Sequence, residues 1–494
     1  MGNAAQIDQL VANIQSNQIP VRPLAAGEQY RFHFDMTKCI GCKCCVVACN
    51  EQNGNPAAIN WRTVGDIEGG YYPYTQRYHL SMSCNHCLEP SCLIGCPVEA
   101  YTKDPLTGIV LHDPNVCIGC QYCTWNCSYG APQYNAERGV VGKCDMCRNR
   151  IRDGMPPACV AACPENALTI EVINISEWRQ DYLAANAPGL PSANDSISTT
   201  RVTLPEHLAP DTGRVDVHHV APEHPHWPLV FMLVLTQLSV GAFAVIWLLQ
   251  ILRYRPAFIT AAISLALAGI SLSTSIAHLG RPIYALRALK GLRRSWLSRE
   301  VLALSLFTLI AGLFTAFTLI HSSVLPVIGL FTVLTGLAGL MCSARIYMVR
   351  ARPAWNSGYT VAEFFSTAAL LGALSVGTVE RHPPVWLYLA ASLFACSQFS
   401  TQALKLLWLA RSDIFELRGV FLLLSGRLRN AFLIRMAILI AATAVPLIAQ
   451  APRIIAMLFA IALIGELLGR YLFFVSVVPK KVAAAFPSLR RRAA

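Results

Sequence analysis

Sixteen cysteines fall into four groups of four between Cys39 and Cys163, and nothing else in the 494-residue chain restricts its fold so tightly. The groups are Cys39, Cys42, Cys45 and Cys49; Cys84, Cys87, Cys92 and Cys96; Cys117, Cys120, Cys123 and Cys127; and Cys144, Cys147, Cys159 and Cys163. The first and third share the spacing C-x2-C-x2-C-x3-C, and Cys96 and Cys163 each precede a proline. Three closely spaced thiolates wrap one cubane cluster, while a fourth held further along points at its neighbour. Sixteen ligands thus divide evenly into four 4Fe-4S clusters, placed near enough to one another to act as a wire. Zinc also uses pairs of Cys-x2-Cys, but the triple spacing fits a tetrahedral zinc ion poorly. Cys44 stands outside the pattern and reads as a spare thiol. Short strand-like runs such as Thr107 to His112 and Ala167 to Ile173 accompany the cysteines, so metal rather than a large apolar core should hold this region together.

The remaining chain has a different chemistry. Only Cys342 and Cys396 lie beyond Cys163, and the whole sequence is 54% apolar and 14% charged, against about 25% charged for an ordinary globular protein. A wholly soluble protein is excluded. Residues 1 to 226 carry a net charge of −7 and residues 227 to 494 one of +19. The basicity therefore belongs to the apolar part, where Lys and Arg set membrane orientation rather than bind nucleic acid.

Four segments follow from these contrasts: an α+β, ferredoxin-like iron-sulfur domain over 1–185, an extended Pro- and Ser-rich linker over 186–226, an all-α membrane bundle over 227–480 and a basic tail over 481–494. Eight apolar stretches approach the roughly 20 residues a spanning helix requires: 229–251, 257–277, 301–320, 325–344, 361–379, 384–404, 431–449 and 454–478. With eight spans, 19 Lys and Arg fall on the face shared by both termini and four on the other. The positive-inside rule then puts the cysteine domain on the cytoplasmic side of the inner membrane, where the reducing environment suits thiolate ligands. Residues 1 to 35 hold neither a secretory core nor paired arginines, so no export signal is expected on this chain.

The runs CIGCKCCVVAC, SCNHCLEPSCLIGCP, CIGCQYCTWNCSYGAPQYN and KCDMC with CVAACP resemble the four-cluster electron-transfer subunit of the dimethyl sulfoxide reductase family over residues 30 to 175. Some relatives carry tryptophan in place of one cysteine of the third group. Here all four cysteines are present, with Trp125 between Cys123 and Cys127. The resemblance implies an exchange between groups that spacing alone does not show. Cys39, Cys42, Cys45 and Cys163 would hold one cluster, and Cys144, Cys147, Cys159 and Cys49 the next. Cys84, Cys87, Cys92 and Cys127 would hold the third, and Cys117, Cys120, Cys123 and Cys96 the fourth.

Ionisable residues at the rims of apolar spans are costly to place and are functional candidates by default. His278 ends the second span and Glu300 opens the third, joined by a short loop. A quinone head group there would find a proton carrier in either residue; equally, His278 can cap a helix and Glu300 can favour a helix start. The segments His226-Trp227-Pro228-Leu229, His278-Leu279-Gly280 with Pro282, Ser298 and Glu300, and Gly465-Glu466-Leu467 with Gly469-Arg470 resemble the membrane anchor subunit of the same family over 226 to 478. That resemblance implies a role in menaquinol binding for His278 and Glu300. Glu466 and Arg470, one helical turn apart, are expected to pair within the membrane. Arg345, Tyr347 and Trp355 could line the same cavity or anchor the helix at the interface. His218, His219, His224 and His226 read as solvated linker, and no haem motif is present.

The whole then reads as an electron-transfer and anchor component that relays electrons between a molybdopterin-containing catalytic subunit and menaquinone or ubiquinone in the membrane. It carries no catalytic site for a terminal substrate. Rival readings are a quinone-linked relay for a donor without molybdopterin and an anchor with no quinone site.

Overall fold

The computed structural model describes residues 18–20, 22–215, 220–254, 257–320, 323–380 and 382–482. Two compact units make up the chain, one of residues 1–219 with 479–494 and the other of residues 220–478.

In the first unit, β1 (Glu28–Asp35) pairs antiparallel with β8 (Leu168–Asn174), from Glu28 opposite Asn174 to Phe34 opposite Leu168. Alternate residues Phe32 and Phe34 of β1 are buried, as period-two patterning requires of a half-covered strand. β2 (Thr63–Gly69) and β3 (Gln76–Met82) form a second antiparallel pair. Two small hairpins, β4 (Tyr101–Lys103) with β5 (Val110–His112) and β6 (Gln133–Asn135) with β7 (Val140–Gly142), follow in the cysteine-rich part. The helices are short: α1 (Cys44–Asn53), α2 (Ser91–Gly95), α3 (Tyr122–Asn126), α4 (Arg148–Arg152), α5 (Ala158–Ala161) and α6 (Ile175–Asp181). The expected strand runs appear as β5 and β8.

The stretch expected to be an extended linker, 186–226, is in part folded structure. β9 (Arg201–Thr203) adds to β1 in parallel, and β10 (Gly213–Arg214) pairs with β2. In the same stretch, Thr199 Oγ1 donates to the Asn85 carbonyl at 2.5 Å, and Asp195 Oδ2 accepts from Ser128 Oγ at 2.6 Å. The Ser, Thr and Asp content that resembles solvated linker supplies these hydrogen bonds. The other end of the chain also enters this unit: Lys480 Nζ lies 3.1 Å from Asp195 Oδ2, and Val482 packs with Met82 and Tyr129.

The second unit is helical. Its long helices among the described residues are α7 (Trp227–Ile251), α8 (Phe258–Ala277), α9 (Trp296–Leu319), α10 (Leu325–Tyr347), α11 (Gly358–Val379), α12 (Val385–Ala410), α14 (Arg429–Ile448) and α15 (Pro452–Val475), with the shorter α13 (Phe415–Ser425) before α14. Seven of them are long and apolar enough to cross a membrane. The eighth, α12, has the length but carries Gln398, Gln402 and Lys405 along its second half, which lowers its mean hydropathy. α9 begins at Trp296, earlier than expected, so Glu300 lies a full turn inside the helix. α13 lies where only a loop was expected; it buries Leu417, Val420, Leu423 and Leu424 against α15 and the end of α12. α7 occupies the centre of the bundle and meets α11 at paired glycines, where a Cβ on Gly241 would overlap the Ala368 carbonyl and one on Gly372 the backbone of Gly241. Small residues at such crossings let membrane helices approach closely.

Candidate functional site

Each cysteine group opens with the same backbone turn. The residue before the second cysteine has positive φ in all four: Gly41 (69°), His86 (46°), Gly119 (70°) and Met146 (60°). Glycine takes this conformation without strain, and at His86 and Met146 the surrounding structure enforces it. The turn aims a backbone N–H at the first sulfur of the group, as Gly119 N does to Cys117 Sγ at 3.4 Å and Met146 N to Cys144 Sγ at 3.3 Å. A second device recurs after the two Cys-Pro steps. Ala100 N donates to Cys96 Sγ and Ala167 N to Cys163 Sγ, both at 3.3 Å. Donors on sulfur are among the levers that set cluster potential.

Folding brings together cysteines from different groups. Cys39, Cys42, Cys45 and Cys163 line one cavity, Cys84, Cys87, Cys92 and Cys127 a second, and Cys96, Cys117, Cys120 and Cys123 a third. Cys49 has Cys159 and Cys147 as charge neighbours, and Cys144 has Cys84 first, then Cys49 and Cys159. Among the described residues no three Cys, His, Asp or Glu side chains converge closely enough to chelate one metal ion. Tetrahedral zinc would need its four ligands about 2.3 Å from a common centre. Four soft donors spread around an apolar cavity instead fit a cubane, in which each iron takes one thiolate. Burial pushes the Cys49, Cys87 and Cys120 thiols up to about 12 and those of Cys39, Cys127 and Cys147 to about 11. Such thiols ionise on metal binding, not unaided at neutral pH. Cys44 is exposed beside them.

Two buried cations offset the negative charge that thiolates bring. Arg62, 1% exposed, donates to the Ser81 carbonyl (3.2 Å), Ser81 Oγ (3.1 Å) and Ser83 Oγ (2.9 Å) and lies over the Phe32 ring. Burial alone would lower its pKa, but Cys159, Cys45, Cys144 and Cys49 raise it instead. Lys143 donates to the Cys144 carbonyl at 2.7 Å and to the Val110 carbonyl. Burial opposes its charge too, and Cys84, Cys92 and Cys144 overcome that. Neither residue carries a motif that points to this role.

In the helical unit, His278 and Glu300 have different neighbours. His278 follows α8, and its ring meets that of His226 edge-on with centroids 5.5 Å apart. Glu300 is 7% exposed and faces Ser343 and Cys342 of α10. His226, expected to be solvated linker, is half-buried at the start of α7 and touches His224, His278 and Phe474. His224 is exposed, as expected; His218 and His219 lie outside the described residues.

The expected Glu466–Arg470 pair forms differently. Glu466 Oε2 accepts from Thr367 Oγ1 (2.7 Å) and Gln398 Nε2 (2.9 Å) and lies 3.8 Å from Arg435 Nη2. Arg470 donates to Gln237 Oε1 (3.0 Å) and the Glu363 carbonyl (3.2 Å) and rests over the Phe364 ring. Neither side chain turns to its helical neighbour for a hydrogen bond, because this interior offers each partners on facing helices. Gly469 allows the arrangement, because a Cβ there would strike the Arg435 guanidinium. Glu363 and Lys405, absent from the sequence-based candidates, form a buried pair beside it. Charged residues interrupting apolar runs were the visible signal. Tyr347 and Trp355 are buried in an aromatic cluster with Phe364, Phe473 and Phe474, and Trp355 also lines the cavity that holds Glu363, Lys405 and Arg435. Arg345 lies 5.8 Å from the Trp296 ring.

Comparison with known proteins agrees with this geometry. A family profile described as 4Fe-4S dicluster domain matches residues 75–173. A second, described as DMSO reductase anchor subunit (DmsC), matches residues 222–476, more than half of the chain. The chain is 41% identical over 174 residues to the probable anaerobic dimethyl sulfoxide reductase chain YnfG of Escherichia coli K12, covering 34% of this chain and 84% of that protein. It is 37% identical over 195 residues to an anaerobic dimethyl sulfoxide reductase chain of Haemophilus influenzae, covering 38% and 94%. A sulfite dehydrogenase subunit of Allochromatium vinosum is 39% identical over 154 residues, covering 27% of this chain and 64% of that protein. Cysteine-lined cavities, apolar helices and these matches together describe a multi-pass membrane component of an oxidoreductase complex, without its catalytic subunit. The chain belongs to the DMSO reductase anchor subunit (DmsC) family and joins that anchor, in one polypeptide, to an iron-sulfur electron-transfer subunit.

Proposed function

We propose that the chain relays electrons between a molybdopterin-containing catalytic subunit and the membrane quinone pool, through four 4Fe-4S clusters. The observation that carries this reading is the lining of three cavities by four cysteines each, with the fourth set gathered around Cys49 and Cys159. Held there, the clusters supply one-electron transfer at short spacing. The ligand sets are Cys39, Cys42, Cys45 and Cys163; Cys49, Cys144, Cys147 and Cys159; Cys84, Cys87, Cys92 and Cys127; and Cys96, Cys117, Cys120 and Cys123. The protein's own part is to fix the sulfurs, aim backbone donors at them and place Arg62 and Lys143 against their charge.

All eight long helices, α12 included, span the inner membrane, and the excess of Lys and Arg on one face keeps the iron-sulfur unit cytoplasmic. The quinone head group docks near His278 and Glu300, which take up or release the protons of its redox change. The relatives named for sulfite dehydrogenase and dimethyl sulfoxide reductase support a molybdopterin partner and leave both directions of electron flow available.

The test is a redox titration of the purified complex followed by electron paramagnetic resonance, with a quinol analogue added. Four cluster signals per chain, quinol-driven reduction and loss of that reduction in His278→Ala and Glu300→Gln are expected. Unchanged quinone kinetics in both variants would sink the quinone assignment, and fewer than four clusters the ligand sets.

A further inference from the structure

His226 and His224 take no part in the electron relay itself, yet they connect the proposed quinone residue to solvent. His226 takes a left-handed backbone conformation (φ 49°) just ahead of α7, a costly one for a side-chain-bearing residue. That turn directs its ring inward. The ring lies edge-on to His278 at 5.5 Å between centroids and edge-on to His224 at 5.1 Å. His226 N donates to His224 Nδ1 at 3.2 Å, so His224 Nδ1 is an acceptor and its Nε2 bears the proton. Exposure rises along the series, from half-buried His278 and His226 to exposed His224.

We propose that the three histidines form a proton relay, in which His226 and then His224 carry protons between His278 and solvent. This rests on the reading of His278 as a quinone-site residue. Oxidation of a quinol releases two electrons and two protons. The electrons leave through the iron-sulfur unit, and the protons need acceptors that return to their starting state. His226 accepts a proton at one ring nitrogen from the His278 imidazolium, directly or through one water, and gives one up at the other nitrogen to His224 Nδ1. That nitrogen exchanges its bond from His226 N for the proton while His224 Nε2 releases its own proton to solvent, and a ring flip restores the starting tautomer. Quinone reduction runs the same transfers backwards. The charged and titratable groups around His226 are His224, His278, Arg352 from the segment between α10 and α11, and Glu223, which faces Arg352. Burial first, then His278, His224 and Arg352, lower the His226 pKa to about 3. A neutral ring of this kind passes a proton on and does not trap it. Packing alone would also explain an aromatic ring between His278 and Phe474, and His226→Phe separates the two roles, because it keeps the ring and removes both nitrogens.

In the intact complex, His226→Phe should lower kcat for quinol-analogue turnover about tenfold or more, with KM nearly unchanged and a larger solvent deuterium isotope effect. Added imidazole should restore turnover in His226→Ala. His224→Gln, on an exposed side chain and with an amide oxygen in place of the Nδ1 acceptor, should change the pH profile in the same sense. Wild-type rates, isotope effect and pH profile in His226→Phe and His224→Gln, with turnover lost in His278→Ala, would overturn the relay and leave the quinone site standing. Full turnover in His278→Ala would overturn both.

Discussion

Lys405 Nζ lies 2.7 Å from Glu363 Oε1, with side chains 12% and 3% exposed inside the helical unit. Withdrawing two charges from water costs several kcal/mol per ion, which close contact largely offsets. Lys405→Met should therefore destabilise the helical unit by roughly 3–5 kcal/mol, since Glu363 stays buried without its partner. Lys405→Met with Glu363→Leu should recover most of that loss. Thermal unfolding in detergent measures both, and additive losses in the double variant would contradict the pairing.

The glycine crossing of α7 and α11 makes a separate prediction. Gly241→Val forces side-chain atoms into the Ala368 carbonyl and Gly372, and overpacking of this kind costs roughly 2–3 kcal/mol. Gly312→Ala on α9, where a Cβ meets nothing within 4 Å, is the matched control and should be neutral. Equal midpoints for the two variants would show that the crossing tolerates separation.

Exchange of ligands between groups can be read spectroscopically. Cys163→Ser should alter the same cluster signal as Cys39→Ser, and Cys49→Ser the same signal as Cys144→Ser, although each pair is distant in sequence. Perturbations that follow sequence groups, with Cys163→Ser matching Cys144→Ser, would refute the exchange.

Arg62 sits among cysteines of the first two ligand sets. A fixed cation favours the more negative, reduced form of a nearby cluster. Arg62→Gln should lower the potentials of those clusters by on the order of 50–100 mV, as a unit charge roughly 8 Å away at an effective dielectric of about 20 implies. The clusters held by Cys84 and Cys117 should move much less. Redox titration decides it, and an equal shift of all four would mean that the substitution acts through folding.

Much of this is legible in the sequence because iron chemistry writes itself into spacing. The cysteine groups, the change of chemistry along the chain and the apolar helices are all visible as local patterns. The pairing between groups is not a local pattern, since it depends on how β1 meets β8 and α1 meets α5; only a family resemblance suggests it. His226 passes for linker because the prolines around it, Pro222, Pro225 and Pro228, mark solvated chain, and nothing local reveals that the backbone turns its ring inward. Helical spacing joins Glu466 to Arg470, but a buried charge takes the best partner in three dimensions, and here that partner sits on another helix. Arg62 and Lys143 have no motif at all, since a counter-charge needs only proximity.

The segment at Lys480 and Val482 belongs to the iron-sulfur unit, as do residues before Val220. The backbone therefore passes between the two units twice, and the electron-transfer part is not a simple amino-terminal module. Cutting the gene near residue 219 to recover two separate subunits would leave one stitch of the first on the end of the second. A split intended to reproduce the two-chain arrangement needs a second break after Val478, and without it the halves remain bound to reassociate through that stitch.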